Sequence, residues 1–219
     1  MEPAAEIFDV IRAGDKARLE ALLAAAPAVI NVRNELGHSP ILIAQYHHKK
    51  DLVAVLLAAG PTLDVFDAAS VGRTDRVAAL LDADPTLVNA YSRDGFFPLG
   101  LAAFFGYPDT VRLLLARGAD VGQVARNPMR IQAIHAAVAG RSSEAVELVV
   151  EAGAPINAQQ HLGWTALHEA VHQENVELTR YFLAHGADPK LQNDEGKSAI
   201  GLAADQGSAA VLKLLKGQG

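Results

Sequence analysis

The segment Ala133-Ile134-His135-Ala136-Ala137 returns as Ala166-Leu167-His168-Glu169-Ala170 and again, weakened, as Ala199-Ile200-Gly201-Leu202-Ala203. The step is thirty-three residues each time, from 133 to 166 to 199. No other feature constrains the fold of this chain as strongly. A unit of that length cannot enclose a core, so it must cover its apolar face with its neighbours, and the stable outcome is a stack of repeats. A stack presents a long surface rather than an enclosed chemical pocket, so the period bears on function as well.

The order within each period is constant. A Gly-containing segment precedes a small-residue helix, a tight turn, a second helix rich in Leu and Val, and a Gly stop. Ser39, Thr165 and Ser198 stand where a side-chain oxygen can accept from an orphan N–H of the first turn. Pro40 and Pro98 fall at the first helical position, where φ is already set and no N–H is missed. Gly60, Gly118, Gly153 and Gly186 follow second helices, where a left-handed residue ends the helix. Val53, Leu56 and Leu57, like Val111, Leu114 and Leu115, keep the three-to-four spacing of one apolar helical face. The sequence therefore predicts an all-α chain of helix pairs.

These residues resemble the ankyrin repeat, whose pattern runs Gly-x-Thr-Pro-Leu-His-x-Ala-Ala, a helical turn, Val-x-x-Leu-Leu and Gly-Ala-Asp. Gly163-Trp164-Thr165-Ala166-Leu167-His168 carries the start, and Gly118-Ala119-Asp120 and Gly186-Ala187-Asp188 match the end. The resemblance spans nearly the whole chain. It implies an ankyrin-repeat solenoid of about seven helix-turn-helix repeats with short β-hairpin fingers, forming a single domain over residues 1–219. Repeats are expected near residues 4, 37, 63, 95, 130, 163 and 196, the first and last serving as caps. Glu2, Glu6, Asp9, Arg12, Asp15, Lys16 and Arg18 give the first pair a polar outer face, as a stack end needs. The last repeat stops at Lys216-Gly217-Gln218-Gly219.

A second periodicity overlies the first. Phe8 to Gly60 aligns without gaps on Phe66 to Gly118, an offset of fifty-eight, with Gly14/Gly72, Pro27/Pro85, Asn31/Asn89 and Pro40/Pro98 coinciding. Duplication of a two-repeat unit explains this. From Gly60 to Val65 there is too little chain for a finger, so the third repeat is expected to lack one. Pro27–Gly37 and Pro85–Gly95 are longer connections that extend the second helix or wrap beneath the next finger. Where Gly would usually follow the first helix, His48, Arg141 and Glu174 stand instead.

Composition narrows the function classes. With 19 basic against 25 acidic residues the net charge is −6, and no basic stripe points to nucleic acid. The one local excess of positive charge, His47-His48-Lys49-Lys50, reads as a solvated turn. Cysteine is absent, which removes disulfides and thiolate chemistry and is compatible with the cytoplasm. The N-terminus shows no secretory signal, and no apolar run approaches a membrane span.

One motif has the look of an enzyme. His168-Glu169-Ala170-Val171-His172 is H-E-x-x-H, in which two His a helical turn apart hold zinc while Glu activates water. The alternative reading of a zinc hydrolase rests on it. His168 also occupies the His position of the resembled pattern, where it is a scaffold residue bonded to the Thr of its own turn, here Thr165. A third ligand is not recognisable, as a catalytic zinc site would require. No P-loop, dinucleotide fingerprint or nucleophile elbow occurs.

The resemblance places partner contacts at finger tips and at the exposed ends of first helices. By register these are Tyr46 and His47; Phe96, Phe104 and Phe105; Met129 and Ile131; and His161, Trp164, His172 and Gln173. Aromatic residues are only 5% of the chain, and they are the side chains that anchor interfaces. Phe97, at a capping position, reads as core, while Phe104 and Phe105 stand beside the short third repeat and can equally fill its gap. The expectation is a non-catalytic module, monomeric and cytoplasmic, that binds a protein or peptide and uses no metal, cofactor, membrane or nucleic acid. A regulatory or immunity partner of an enzyme encoded beside it is the other non-catalytic alternative.

Overall fold

Helix starts are set by the side chains that the sequence marks for them. Ser39 Oγ accepts the Leu42 amide at 3.1 Å, Thr165 Oγ1 that of His168 at 3.3 Å and Ser198 Oγ that of Gly201 at 3.2 Å. The computed structural model describes residues 3–217; Glu2 of the expected polar face and Gln218-Gly219 of the expected end lie outside them. Among the described residues seven helix pairs follow one another. They are α1 (Pro3–Ala13) with α2 (Lys16–Ala25), α3 (Pro40–Tyr46) with α4 (Lys50–Ala58), and α5 (Val65–Ser70) with α6 (Thr74–Ala83). Next come α7 (Pro98–Phe104) with α8 (Pro108–Ala116) and α9 (Ala133–Ala139) with α10 (Ser143–Glu151). The last two are α11 (Ala166–His172) with α12 (Val176–Ala184) and α13 (Ala199–Gln206) with α14 (Ala209–Lys216).

First helices pack in a row, each on the first helix of the next pair from α1 to α13. Their buried faces join the second helices in one apolar core running from Ile7 to Leu215. Leu52, Leu99 and Leu114 are fully enclosed there, each contributing about 2 kcal/mol by leaving water. Phe97 is also enclosed. It makes no side-chain cap and instead lies over Gly100, where a Cβ would come within 3.1 Å of its ring.

The offset of fifty-eight holds element by element. α2, α3 and α4 begin and end at positions equivalent to those of α6, α7 and α8. After α2 and α6 the chain does not prolong the helix; it breaks and forms a 3-10 turn, Pro27–Asn31 in one copy and Pro85–Asn89 in the other. The Asn that closes each turn receives the next repeat: Asn31 Oδ1 accepts the Thr62 amide and Asn89 Oδ1 the Asp120 amide, both at 2.8 Å. Asn157 does the same for Asp188 at 2.8 Å.

Turns inside the pairs keep one geometry regardless of residue. Gly14, Gly72, Gly106 and Gly207 are left-handed, and so are His48 (φ 53°), Arg141 (φ 56°) and Glu174 (φ 54°). A side chain in that conformation costs on the order of 1 kcal/mol.

Connections between pairs reverse tightly. Asn34 bonds the His38 carbonyl, Ser92 that of Phe96, Gln160 that of Trp164 and Asn193 that of Lys197, at 2.8–3.0 Å. Ala125 to Ile131 makes a wider reversal. Among the described residues, connection 59–64 before α5 has no such bond, and the one bridge of β type joins Gln192 to Ser198.

Candidate partner-binding surface

The reversals line up. Arg126 N–H donates to the Gly95 carbonyl, His161 N–H to that of Met129 and Asp194 N–H to that of Leu162, at 2.8–3.0 Å. These bonds tie the fingers before α7, α9, α11 and α13 into one row. At the tips Met129 is 51% exposed and Leu162 49%; Leu36, on the finger before α3, is 61% exposed. His161 is exposed beside them.

The finger before α3 joins this row differently. Among the described residues the connection 59–64 makes no reversal bond, and the finger before α3 meets the finger before α7 through side chains. His38 Nε2 lies 2.8 Å from Asp94 Oδ2, and the Tyr46 hydroxyl donates to the same oxygen at 3.0 Å. Ser92 Oγ donates to the other carboxylate oxygen. Burial alone would push the Asp94 carboxyl up; bonds from His38 and Ser92, the His38 charge and the Tyr46 bond outweigh it and hold it below the usual carboxylate value. Burial, then the Asp94 charge, pushes the Tyr46 phenol up. Around this polar knot the Tyr46 ring packs at 6.3 Å from Phe96 and 6.0 Å from Phe105, and Phe104 stands edge-on to Phe105 at 5.0 Å. All four rings are half-buried against the core.

A second polar knot lies deeper. Asp67 on α5 is fully buried, accepting from Ser39 Oγ at 2.6 Å and from Arg33 at 2.7 Å. Burial, then the charge of Asp64, pushes its carboxyl up.

The sequence-predicted residues separate on inspection. His47 is exposed on the α3–α4 turn. Trp164 is half-buried, with the exposed His172 edge-on to it at 5.6 Å. Two others are engaged by the scaffold itself. Ile131 is buried at 8% exposure, because its carbonyl closes the reversal with Ala125 and turns its side chain into the core. Gln173 is spent on the scaffold: its amide donates to the Val138 carbonyl of the preceding pair at 3.1 Å and to Glu169 at 2.9 Å. Gln206, one period on, repeats this with the His172 carbonyl at 3.1 Å.

The H-E-x-x-H helix does not offer a zinc donor set. His168 is fully buried. Its Nδ1 accepts from the Thr165 amide at 3.1 Å and hydroxyl at 2.8 Å, and its Nε2–H donates to the Lys197 carbonyl at 3.1 Å. Both nitrogens are therefore engaged, which fixes the tautomer. His135 binds the Gln132 amide at 3.1 Å and the Ala158 carbonyl at 3.0 Å in the same way. Burial pushes both imidazoles below the ordinary value. They are neutral struts joining a helix start to the next connection. Among the described residues, no cluster of three or more His, Asp or Glu could hold a metal.

Sequence reasoning missed how the third pair is roofed. α5 has six residues where its neighbours α3 and α7 have seven. Tyr107 lies over the α5–α6 turn so closely that a Cβ at Gly72 would stand 2.2 Å from its ring. The Gln45 amide donates to the Tyr107 hydroxyl at 3.1 Å and to the Ser70 carbonyl. The short Gly60–Val65 connection was the available signal, but it does not name the residues that close over it.

A family model for ankyrin repeats matches residues 7–125, 65–160 and 133–219. The chain belongs to the ankyrin-repeat family. It is similar to the chicken nuclear factor NF-kappa-B p105 subunit, 30% identical over 87% of this chain and 17% of that protein. Likewise the mouse B-cell lymphoma 3 protein homolog is 29% identical over 86% of this chain and 44% of its own length. A Caenorhabditis elegans transient receptor potential channel homolog is 33% identical over 63% of this chain and 11% of that protein. The chain thus spans less than half the length of these relatives. Ankyrin repeats are protein-interaction modules, and their family is generally non-catalytic. No described helix is long and apolar enough to cross a membrane.

Proposed function

We propose that the chain is a non-catalytic module that binds a protein or peptide along its finger row and the adjoining ends of its first helices. The observation that carries this reading is the placement of exposed apolar side chains. Three of the four large apolar residues most exposed among the described ones are Leu36, Met129 and Leu162, and each sits on a finger. Backbone bonds hold two of those fingers in a fixed row, so anchors that lose little freedom on binding are already in position. Trp164 and His172, beside Leu162, extend the surface toward the helix ends.

The seven pairs act as one unit in this reading, as a monomer in the cytoplasm, for which the cysteine-free composition is suited. The relatives bear unrelated names, so the scaffold alone does not choose the partner. The test is affinity capture from a lysate of the source organism, followed by mass spectrometry, with the wild type and with Met129→Ser combined with Leu162→Ser. These side chains touch little of the core, so stability should stay within about 0.5 kcal/mol while capture of the principal partner falls at least tenfold. Undiminished capture by this variant and by Trp164→Ala would refute the assignment.

A further inference from the structure

The recess over the third pair leaves a cavity of about 780 Å³ on the turn side of the stack. Its walls come from the second, fourth and fifth pairs, with no residue from the third. Phe104, Phe105 and Tyr107 supply an aromatic side, half-buried and half open. Lys50 and Arg141 supply the charge, with His48 beside them, and no lining residue is acidic. Among the described residues neither Lys50 nor Arg141 forms an ion pair, whereas Asp109, the acid nearest in sequence to Tyr107, is held by Arg112 at 3.0 Å. All three basic side chains are exposed. In a chain of net charge −6, this is a local reversal of sign.

Two of these residues also hold a conformation that favours glycine. His48 and Arg141 are left-handed at the turn position where Gly72 and Gly106 stand in the two intervening pairs. The strain of a side chain there falls on the two turns that flank the cavity. We infer that this cavity is the docking site for an acidic segment of a partner protein, one carrying a bulky apolar side chain among its carboxylates. The apolar group fits against Phe104, Phe105 and the Leu57 and Val53 side of α4. The carboxylates meet Lys50 and Arg141, as acidic motifs are read by basic clusters elsewhere. His48 adds a donor at the rim.

This inference rests on the interaction-module reading and names its partner's chemistry, and the experiment keeps the two apart. A phage-displayed library of random dodecapeptides is panned on the immobilised full chain. Recovered peptides should cluster Asp and Glu around Phe, Leu or Trp. Labelled with fluorescein, such a peptide should bind Lys50→Glu with Arg141→Glu at least tenfold more weakly by anisotropy, and wild type more weakly as salt rises. The melting temperature should not change. Both residues are exposed and unpaired, and Glu174 already holds the left-handed position one period after Arg141. A recovered pool without acidic enrichment overturns the inference, as does unchanged affinity in the reversed variant. Equal displacement of the peptide by a single-stranded oligonucleotide also overturns it, by showing a polyanion site. If recovered peptides lose affinity only with Met129→Ser and Leu162→Ser, the module reading stands and the acidic-segment site falls.

Discussion

The fingers before α9, α11 and α13 are joined to their neighbours by backbone, the fingers before α3 and α7 to each other by side chains. The first arrangement uses Arg126, His161 and Asp194 amides on the carbonyls of Gly95, Met129 and Leu162. Any sequence with the right turn can form it. The second needs His38, Tyr46, Ser92 and Asp94 in particular. A regular stack is therefore tolerant along its fingers, and the place where one finger is absent becomes intolerant. Four half-buried aromatic rings, Tyr46, Phe96, Phe104 and Phe105, gather beside that junction.

The comparison can be broken most sharply at Asp94. Asp94→Ala leaves His38 and the Tyr46 hydroxyl without their partner, and we expect a loss of about 3 kcal/mol in urea unfolding. Amide exchange should accelerate in α3 and α5 before it does in α11. Equal acceleration in both would show that the side-chain junction is no weaker than the backbone row. The same group gives a pH signature. Its folded-state value is depressed, so its contribution is present above about pH 4 and is lost as pH falls through the folded-state value. The stability gap between wild type and Asp94→Asn should accordingly narrow on acidification below that point, as followed by thermal melts.

Gly72→Ala comes next. It forces a left-handed Ala and displaces the Tyr107 ring, for about 2 kcal/mol. Gly106→Ala, whose Cβ would meet only Ser142 at an ordinary 3.7 Å, should cost about half of that. Equal costs would mean the roof over the third pair adds nothing. An effect as small as that of Gly106→Ala belongs to the regular half. Thr165→Ala removes one cap and one bond to His168, worth about 1 kcal/mol, and melting should report it without altering exchange in α3.

Much of the scaffold is legible in the residues because repeats speak about nearest neighbours. Ser39, Thr165 and Ser198 cap as their spacing says, and Phe97 is core as its register says. His168 is a strut because its period mate His135 is one. What the chain does not disclose are contacts that skip a repeat. His38 to Asp94, Tyr46 to Asp94 and Gln45 to Tyr107 join residues 56, 48 and 62 positions apart, from the second repeat to the fourth, beside a short connection. Nor does register disclose how the scaffold engages Ile131 and Gln173. Register locates a backbone position on the surface-facing side, but Ile131 is turned inward within its own reversal with Ala125, and the Gln173 side chain is held by the Val138 carbonyl of the preceding pair. His47-His48-Lys49-Lys50 read as plain solvated charge, since Arg141 and the Phe104–Tyr107 wall are far from it in sequence.

The asparagines that close the 3-10 turns carry a further consequence. Asn31 grips Thr62, and Asn89 grips Asp120, with the same oxygen, the same separation along the chain and the same 2.8 Å. Were residues 61–118 excised, Asn31 would find Asp120 where Thr62 had been. Splicing in another such block would leave every existing joint of this kind intact. Growth and shrinkage of the gene by whole modules thus meet a ready-made coupling, and a lineage can change how far its protein reaches without inventing a new seam.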